Sequence, residues 1–215
     1  MNKKWWVITT AAATAVAFVV GAMVFKDRSA QQTAQLAQAN SEALVRPHSP
    51  VYGNPGAKVT IVEFFDPACE TCRAFYPIVK RMIQANFGQV RLVVRYAPLH
   101  DGSDQAIAIL EAAGKQGKYW EAVERTLAAQ PQWASHHNPQ PALIWPLLAD
   151  LQLDEAKARA DAASPEVAAV LRQDVADMQA LQVTKTPSFF VNGEPLREFG
   201  EVQLKALVDR HLQKK

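Results

Sequence analysis

Two cysteines, Cys69 and Cys72, are the only ones in the 215-residue chain, and two residues separate them. They stand between "VEFFDPA", which ends a run of apolar β-forming residues, and a stretch with apolar residues at helical spacing. A thiol at the start of a helix lies near backbone N–H groups without intrahelical partners and near the positive end of the helix dipole, so its thiolate is stabilised. The second thiol falls about one turn later on nearly the same side, within reach of a disulfide. The spacing indicates a pair that switches between dithiol and disulfide, in which Cys69 attacks and Cys72 resolves the mixed disulfide.

Two other uses of this spacing are zinc binding and a static disulfide. Zinc requires about four ligands, and the chain offers no second cysteine pair. The adjacent His136 and His137 lack the spacing of a second ligand pair. A structural disulfide across so short a loop would constrain little of the unfolded chain. We therefore expect a redox pair and no metal site.

The elements around the pair follow a strand, helix, strand order. "KVTIVEFF" and "QVRLVVRYAPL" are typical of buried strands, and the helix between them is expected to end near Gly88. Such a unit makes the two strands parallel. A block predicted to be helical covers about 103–182, and "PSFFVNGEPLREF" then predicts a strand, an Asn-Gly turn and a short strand before a closing helix. This order predicts an α/β or α+β sheet covered by helices, and the length favours one domain.

The N-terminus carries 21 residues without a formal charge, 5–25, after "MNKK". A helix of this length crosses a hydrocarbon core, and Lys3 and Lys4 place its start in the cytoplasm by the positive-inside rule. We expect a single-pass anchor in a bacterial inner membrane, with the rest of the chain outside the cytoplasm. A cleavable signal peptide ending near "VGA", with a soluble periplasmic product, is the alternative.

A polar, Ala/Gln-rich segment, 26–50, follows the apolar stretch and is expected to be a solvated linker. A weak helical stalk is the alternative, although Leu36 and Leu44 are few apolar anchors for a coiled coil. The domain proper is then predicted at 51–215. The 23 basic and 21 acidic residues are interspersed, so a nucleic-acid partner is not expected.

From about residue 50 to the end, the sequence resembles the exported thioredoxin-fold oxidoreductases of the DsbA type. "TIVEFFDPACETC" resembles the strand that leads into their Cys-X-X-Cys site, and Pro77 matches the proline that kinks their active-site helix. "TKTPSFFVNG" resembles the loop that carries their cis-proline. The long helical block distinguishes such proteins from plain thioredoxin. The resemblance implies a thioredoxin-like α/β fold, βαβ then ββα, with a helical insertion.

The resemblance also implies roles for individual residues. Thr186 and Pro187 would form the cis bond beside the cysteines and present backbone to an extended substrate. An ordinary trans turn is the alternative. Glu63, six residues before Cys69, matches a buried acid that accepts or relays the proton of Cys72. An outward-facing glutamate on a half-exposed strand is the other possibility. No cofactor is implied beyond the Cys69–Cys72 disulfide itself.

Four neighbours are predicted to tune the site, and here the chain departs from the best-known members. Glu70 and Thr71 stand between the cysteines, where strong oxidants of the family place a histidine that stabilises the thiolate. Glu70 and Asp66 should raise the energy of the thiolate, and Arg73 should partly offset this. We expect a weaker oxidant than the histidine-bearing members. Oxidase, isomerase and reductase activities use the same atoms, so sequence leaves the direction open.

The implied partners are exported polypeptides with thiols or disulfides and a membrane redox protein that recycles the pair. The 25-residue linker is too short for a dimerisation domain, so a monomeric oxidoreductase is expected. A membrane-tethered reductase or isomerase is one alternative. A non-enzymatic module that binds polypeptide or Cu(I) at the thiols is another.

Overall fold

A computed structural model of the chain describes residues 3–135 and 138–214, with side chains from residue 12 onward except at positions 26 and 30. The first two residues of the predicted cytoplasmic stub lie outside the described residues. So do the adjacent His136 and His137, which the sequence offered as the nearest second pair of metal ligands.

A five-stranded mixed sheet forms the centre of the fold, in the order β1-β3-β2-β4-β5. The central β2 pairs in parallel with β3 and antiparallel with β4. The edge strand β1 was not predicted, because its three residues carry no strand pattern and pair only through tertiary contact with β3. The strands are β1 (Val51–Gly53), β2 (Val59–Phe65), β3 (Val90–Tyr96), β4 (Ser188–Val191) and β5 (Glu194–Pro195).

Helices connect and cover the strands as the sequence pattern indicated. One helix provides the parallel crossover between β2 and β3, and the insertion between β3 and β4 is helical, with its helices packed around α3. The helices are α1 (Lys3–Ala39), α2 (Glu70–Ala85), α3 (Ser103–Gly114), α4 (Tyr119–Ala128), α5 (Gln130–Trp133), α6 (Ile144–Leu147), α7 (Glu155–Ala162), α8 (Pro165–Ala180) and α9 (Glu201–Gln213). The thioredoxin-like α/β fold expected from the resemblance is present.

The sheet is covered on both faces, so β2 is buried almost throughout. On one face Ile61 and Phe65 pack in the main core with α2, α9 and the insertion. On the other face Val62 and Phe64 pack in a second cluster. Alternate side chains of a strand point to opposite faces, so Glu63 lies on the face that α2 covers.

The second sheet face is covered partly by residues that the sequence assigned to a solvated linker. Helix α1 continues to Ala39, and Ala37, Ala43 and Leu44 are buried in the second cluster. The second half of the segment 26–50 therefore packs against the sheet in part. The sequence pattern did not show this, because only three scattered apolar side chains of a polar segment make the contact.

The predicted membrane span, 5–25, has a helical backbone within α1. Within the part of the chain that the structure describes, no helix is long and apolar enough to cross a membrane. The anchor therefore stays a prediction.

A buried ion cluster fastens the end of the linker segment to α8 and β3. Arg95 is fully buried and donates to Asp174 at 2.6 Å and to Asp177 at 2.7 Å. Arg46 adds two bonds to Asp177, at 2.8 and 2.9 Å, and the ring of His48 lies 2.7 Å from Asp174. These hydrogen bonds satisfy charges that would otherwise be costly to bury. The cluster fixes the last turns of α8, from which the chain runs to the Thr186–Pro187 loop.

We expect Arg95→Met to lower the free energy of unfolding by about 3–5 kcal/mol, because it leaves buried carboxylates without their counter-ion. Urea unfolding monitored by circular dichroism measures the change. Arg91→Met on the same strand is the control: Arg91 is half-buried and bonds Thr60 at 2.9 Å, so its loss should cost about 1 kcal/mol. Equal losses of unfolding free energy in the two variants would contradict the role of Arg95 as counter-ion of the buried carboxylates.

Candidate active site

Cys69 is the residue at which α2 begins. It caps the helix in an extended backbone conformation, φ −74° and ψ 118°. Its N–H donates to the carbonyl of Asp66 at 3.1 Å, and its own carbonyl accepts the first helical bond, from the N–H of Arg73 at 3.1 Å. The sulfur therefore lies at the end of the helix where free N–H groups are concentrated, as the sequence predicted.

The two sulfurs occupy unequal environments. Cys69 is 6% exposed and Cys72 is fully buried, and the two are not joined by a disulfide in the structure. A hydrogen bond from the Cys72 thiol is the main cause that lowers the pKa of Cys69 to about 5. The Thr186 side chain and the backbone N–H groups of Cys72 and Thr71 also stabilise the thiolate, against the cost of burial. Cys69 is thus a thiolate at neutral pH.

Cys72 has the opposite electrostatics. Burial raises the pKa of its thiol well above the ordinary value, and the hydrogen bond it gives to Cys69 and the negative charges of Glu63 and Cys69 raise it further. Cys72 remains protonated while Cys69 is charged. This is the asymmetry that an attacking and a resolving thiol require.

Glu63 lies beneath the thiol pair on β2. It is 1% exposed, and its Oε1 has no hydrogen-bond partner among the described residues. Burial, followed by the charge of Cys69, raises its pKa to about 8. The carboxyl is therefore mostly protonated at neutral pH and able to exchange a proton near that value. The structure places it inside, so the outward-facing alternative is wrong.

The loop of Thr186 and Pro187 lies against Cys69. The peptide bond between these residues is cis, as the resemblance implied, so the trans alternative is wrong. The sulfur of Cys69 lies 3.3 Å from the carbonyl oxygen of Thr186, to which the protonated thiol donates. Substrate backbone bound at Thr186 would therefore lie next to the reactive sulfur.

Asp66 was predicted to raise the energy of the Cys69 thiolate. The structure shows it buried, where it accepts hydrogen bonds from the loops around the site. Its carboxylate accepts from the N–H of Ala68 at 2.9 Å and of Leu99 at 2.8 Å, and from the Ser103 hydroxyl at 2.5 Å. The backbone N–H and ring Nδ1 of His100 complete the set, at 3.1 and 2.7 Å. These donors satisfy its charge, and the net effect of the site on Cys69 is a strong lowering of the pKa.

The other three predicted tuning residues surround the pair without contacting it closely. Glu70 and Thr71 are exposed at the start of α2. Arg73 is half-buried, and its Nε has no hydrogen-bond partner in the described part of the chain. None of the three side chains is among the main causes of the low pKa of Cys69, to which Thr71 contributes only its backbone N–H.

Two residues of the site were missed by sequence reasoning. A lone histidine after a strand is usually incidental, so the sequence assigns no role to His100, which is held by Asp66 in the loop after β3. Gln130, in the helical insertion, is buried and donates to the carbonyls of Pro67 and Cys69. No pattern marks Gln130, since a glutamine in a helical block is usually solvated.

A surface groove of about 390 Å³ runs beside Pro187 and is lined in part by Phe189 and Phe199. Phe75 of α2 packs on Phe199, with ring centroids 4.4 Å apart, and Phe199 is 44% exposed. Phe189 and Phe199 give the groove an apolar wall beside Pro187. Among the described residues no cluster of three or more potential metal ligands occurs.

Comparison with known proteins agrees with this geometry. Residues 45–210 match the model of the family described as thioredoxin. The chain belongs to the thioredoxin family. A thioredoxin-like oxidoreductase from Silicibacter pomeroyi is 33% identical, with a TM-score of 0.70 over 82% of this chain and 99% of that one. The fold that holds the Cys69–Cys72 pair in this chain is shared with that oxidoreductase.

More distant structures share the fold. BdbD from Bacillus subtilis is 23% identical, with a TM-score of 0.69 over 78% of this chain and 94% of that one. A linker-deletion mutant of ScsC from Proteus mirabilis is 16% identical, with a TM-score of 0.73 over 100% of this chain and 98% of that one. At these identities the likeness concerns the fold.

The curated relatives are much longer proteins. The Na(+)/H(+) antiporter NhaA 3 of Salinispora tropica is 34% identical over 160 residues, which are 73% of this chain and 23% of that protein. NhaA of Herminiimonas arsenicoxydans is 30% identical over 84% of this chain and 29% of its own length. The chain thus spans about a quarter of the length of the curated relatives it matches.

We expect the ultraviolet thiolate absorbance of the reduced protein to titrate with a midpoint near pH 5. Cys72→Ala should move this midpoint upward by about one unit or more, because it removes the largest stabilising hydrogen bond to the thiolate. The oxidised protein, which has no thiolate, is the control and should show no such transition. An unchanged midpoint in Cys72→Ala would contradict the role of Cys72 as hydrogen-bond donor to the thiolate.

We expect Glu63→Gln to stabilise the reduced protein increasingly as pH rises. A carboxyl with a raised folded pKa ionises first in the unfolded state, so its contribution to stability is lost between about pH 4.5 and 8. The gain of the variant should therefore grow by about 1 kcal/mol per pH unit across this window, measured by urea unfolding. Glu70→Gln, at an exposed carboxyl, should stay within about 0.5 kcal/mol of the parent at every pH.

Proposed function

We propose that the chain exchanges disulfides with exported polypeptides through the Cys69–Cys72 pair. The observation that carries the proposal is the opposite shift of the two thiol pKa values within one turn of helix. A low pKa makes Cys69 a good leaving group and nucleophile. A high pKa keeps Cys72 protonated until it attacks the mixed disulfide as the resolving thiol.

The oxidising reaction starts from the Cys69–Cys72 disulfide. A substrate thiolate attacks the sulfur of Cys69, a mixed disulfide forms, and Cys72 leaves as a thiolate that takes up a proton. A second substrate thiolate then attacks the substrate sulfur of the mixed disulfide and expels the thiolate of Cys69. The substrate has lost two electrons and gained a disulfide, and the pair has been reduced to the dithiol.

Glu63 is proposed as the proton donor and acceptor for Cys72. Its pKa of about 8 keeps the proton available near neutral pH, and its charge couples to both sulfurs. The unpartnered Oε1 leaves one carboxyl oxygen free for this exchange, through water where contact is not direct.

Thr186 and Pro187 are proposed to bind the substrate. The carbonyl of Thr186 is 3.3 Å from the sulfur of Cys69, so a polypeptide that pairs in a strand-like manner with this backbone would bring its own sulfur to the site. The apolar groove beside Pro187 supplies surface for side chains that flank the substrate cysteine.

The direction proposed is net donation of disulfides. The thiolate pKa of about 5 lies between the values of thioredoxin, about 7, and of DsbA, about 3.5. Since a more stable thiolate favours the reduced form, the potential should fall between roughly −270 and −120 mV. This is a weaker oxidant than DsbA, and reductase or isomerase action is the alternative that a potential near the lower value would favour.

The proposed place of action is outside the cytoplasm, in a periplasm-like compartment, where disulfides persist. The apolar, charge-free stretch 5–25 supports anchoring in the inner membrane, and removal of that stretch as a signal peptide is the alternative. A membrane redox partner would reoxidise the pair. The catalytic unit is proposed to be a monomer.

The test is trapping of the mixed disulfide. Incubated with a peptide disulfide, Cys72→Ser should accumulate a covalent adduct on Cys69, because no resolving thiol is left. Cys69→Ser is the matched control and should form at least tenfold less adduct, since Cys72 is buried and protonated. Mass spectrometry gives the yields, and a glutathione titration of the parent gives the potential. Equal adduct yields on the two variants would overturn the assignment of Cys69 as the attacking thiol and Cys72 as the resolving thiol.

A further inference from the structure

Gln130 is a buried side chain that joins the helical insertion to the active-site turn. It is 1% exposed, at the start of α5. Its amide nitrogen donates to the carbonyl of Pro67 at 2.8 Å and to the carbonyl of Cys69 at 3.0 Å. Both hydrogens of the amide are thus directed at the backbone that leads into α2.

The amide nitrogen of Gln130 donates hydrogen bonds, whereas the amide oxygen accepts none from the described residues. The Oε1 of Gln130 is buried and has no hydrogen-bond partner among the described residues. A buried acceptor left unpaired costs about 1–3 kcal/mol, whereas an apolar side chain of the same shape would avoid that cost. Fold stability therefore does not explain a glutamine at this position. What distinguishes the residue is that its two donated hydrogen bonds hold the backbone of the active-site turn.

The carbonyl of Cys69 is also the first acceptor of α2. It receives the N–H of Arg73 at 3.1 Å in addition to the amide of Gln130. With Pro67 held as well, both ends of the short segment before the helix are fixed. The orientation of this segment decides where the sulfur of Cys69 points relative to the N–H groups of Thr71 and Cys72, which bond it.

We propose that Gln130 is a positioning residue for thiol–disulfide exchange, which holds the backbone of Pro67 and Cys69 so that the first N–H groups of α2 stay aimed at the Cys69 sulfur. The inference rests on the proposed function and deepens it. It gives the helical insertion a direct part in setting the redox property of the pair. Gln130 itself contacts backbone and not the reacting atoms.

The decisive comparison is between Gln130→Met and Thr126→Val. Methionine keeps the volume and removes both donors. Thr126 is a matched control because it is fully buried in the same insertion and its hydroxyl also lacks a partner among the described residues. Valine removes that hydroxyl without touching the active-site turn.

In Gln130→Met we expect the thiolate titration midpoint of Cys69 to rise by about half a pH unit or more, which corresponds to roughly a threefold change in ionisation. The equilibrium with glutathione should shift in the same sense, by about threefold or more toward the Cys69–Cys72 disulfide, because the reduced form loses stability. Thr126→Val should leave both values unchanged. A Gln130→Met protein that is folded and titrates like the parent overturns the proposal.

A measurement on the parent protein covers the case in which Gln130→Met does not fold. The side-chain amide protons of Gln130, each held by a carbonyl, should exchange slowly with solvent and give nuclear magnetic resonance signals that shift as Cys69 titrates. Amide protons that exchange as fast as those of a solvated glutamine and do not respond to the titration would overturn the proposal. Failure of the proposed function looks different, since Cys72→Ser would then form no more adduct than Cys69→Ser in the trapping experiment, whether or not Gln130 is also changed.

Discussion

The hydrogen bond from the buried Cys72 thiol to the Cys69 sulfur is the interaction on which the chemistry of this molecule depends. It is the largest of the causes that lower the pKa of Cys69, and it exists only while Cys72 is protonated. Burial favours that protonation, because a thiolate at the position of Cys72 would be desolvated and would lie beside the negative sulfur of Cys69. The same burial that makes Cys72 unreactive therefore makes Cys69 reactive.

The turn before α2 is held from two sides so that this bond can form. From the loop after β3, Leu99, His100 and Ser103 converge on the carboxylate of Asp66. From the insertion, Gln130 reaches the carbonyls on either side of Ala68. Polar groups buried in this way are favourable only when their partners are in place, so the turn has little freedom to relax. A rigid turn keeps the helix N-terminus directed at one sulfur.

The opposite face of the sheet shows how much the catalytic face depends on distant packing. Arg95, Asp174 and Asp177 close that face and secure the end of α8, after which the chain reaches the Thr186–Pro187 loop. Residues before the first strand complete the cover. The thiol pair on one side of β2 therefore depends on a sheet whose other face is also covered.

The sequence by itself determined the thiol pair, the strand and helix that present it and the helical insertion, which follow from apolar periodicity and cysteine spacing. The resemblance of "TKTPSFFVNG" to the loop of the DsbA type implied the cis bond of Thr186 and Pro187. Each of these signals acts within about one element of structure. Only the tertiary structure decided that the Asp66 carboxylate is hydrogen-bonded by the loops around it, that Gln130 holds the active-site turn, that three residues form β1, and that Ala37, Ala43 and Leu44 belong to the core. The physical reason is that the role of a polar or small side chain depends on which partners surround it. Those partners come from distant segments, such as Cys69, which lies 61 residues from Gln130, and no local pattern extends so far.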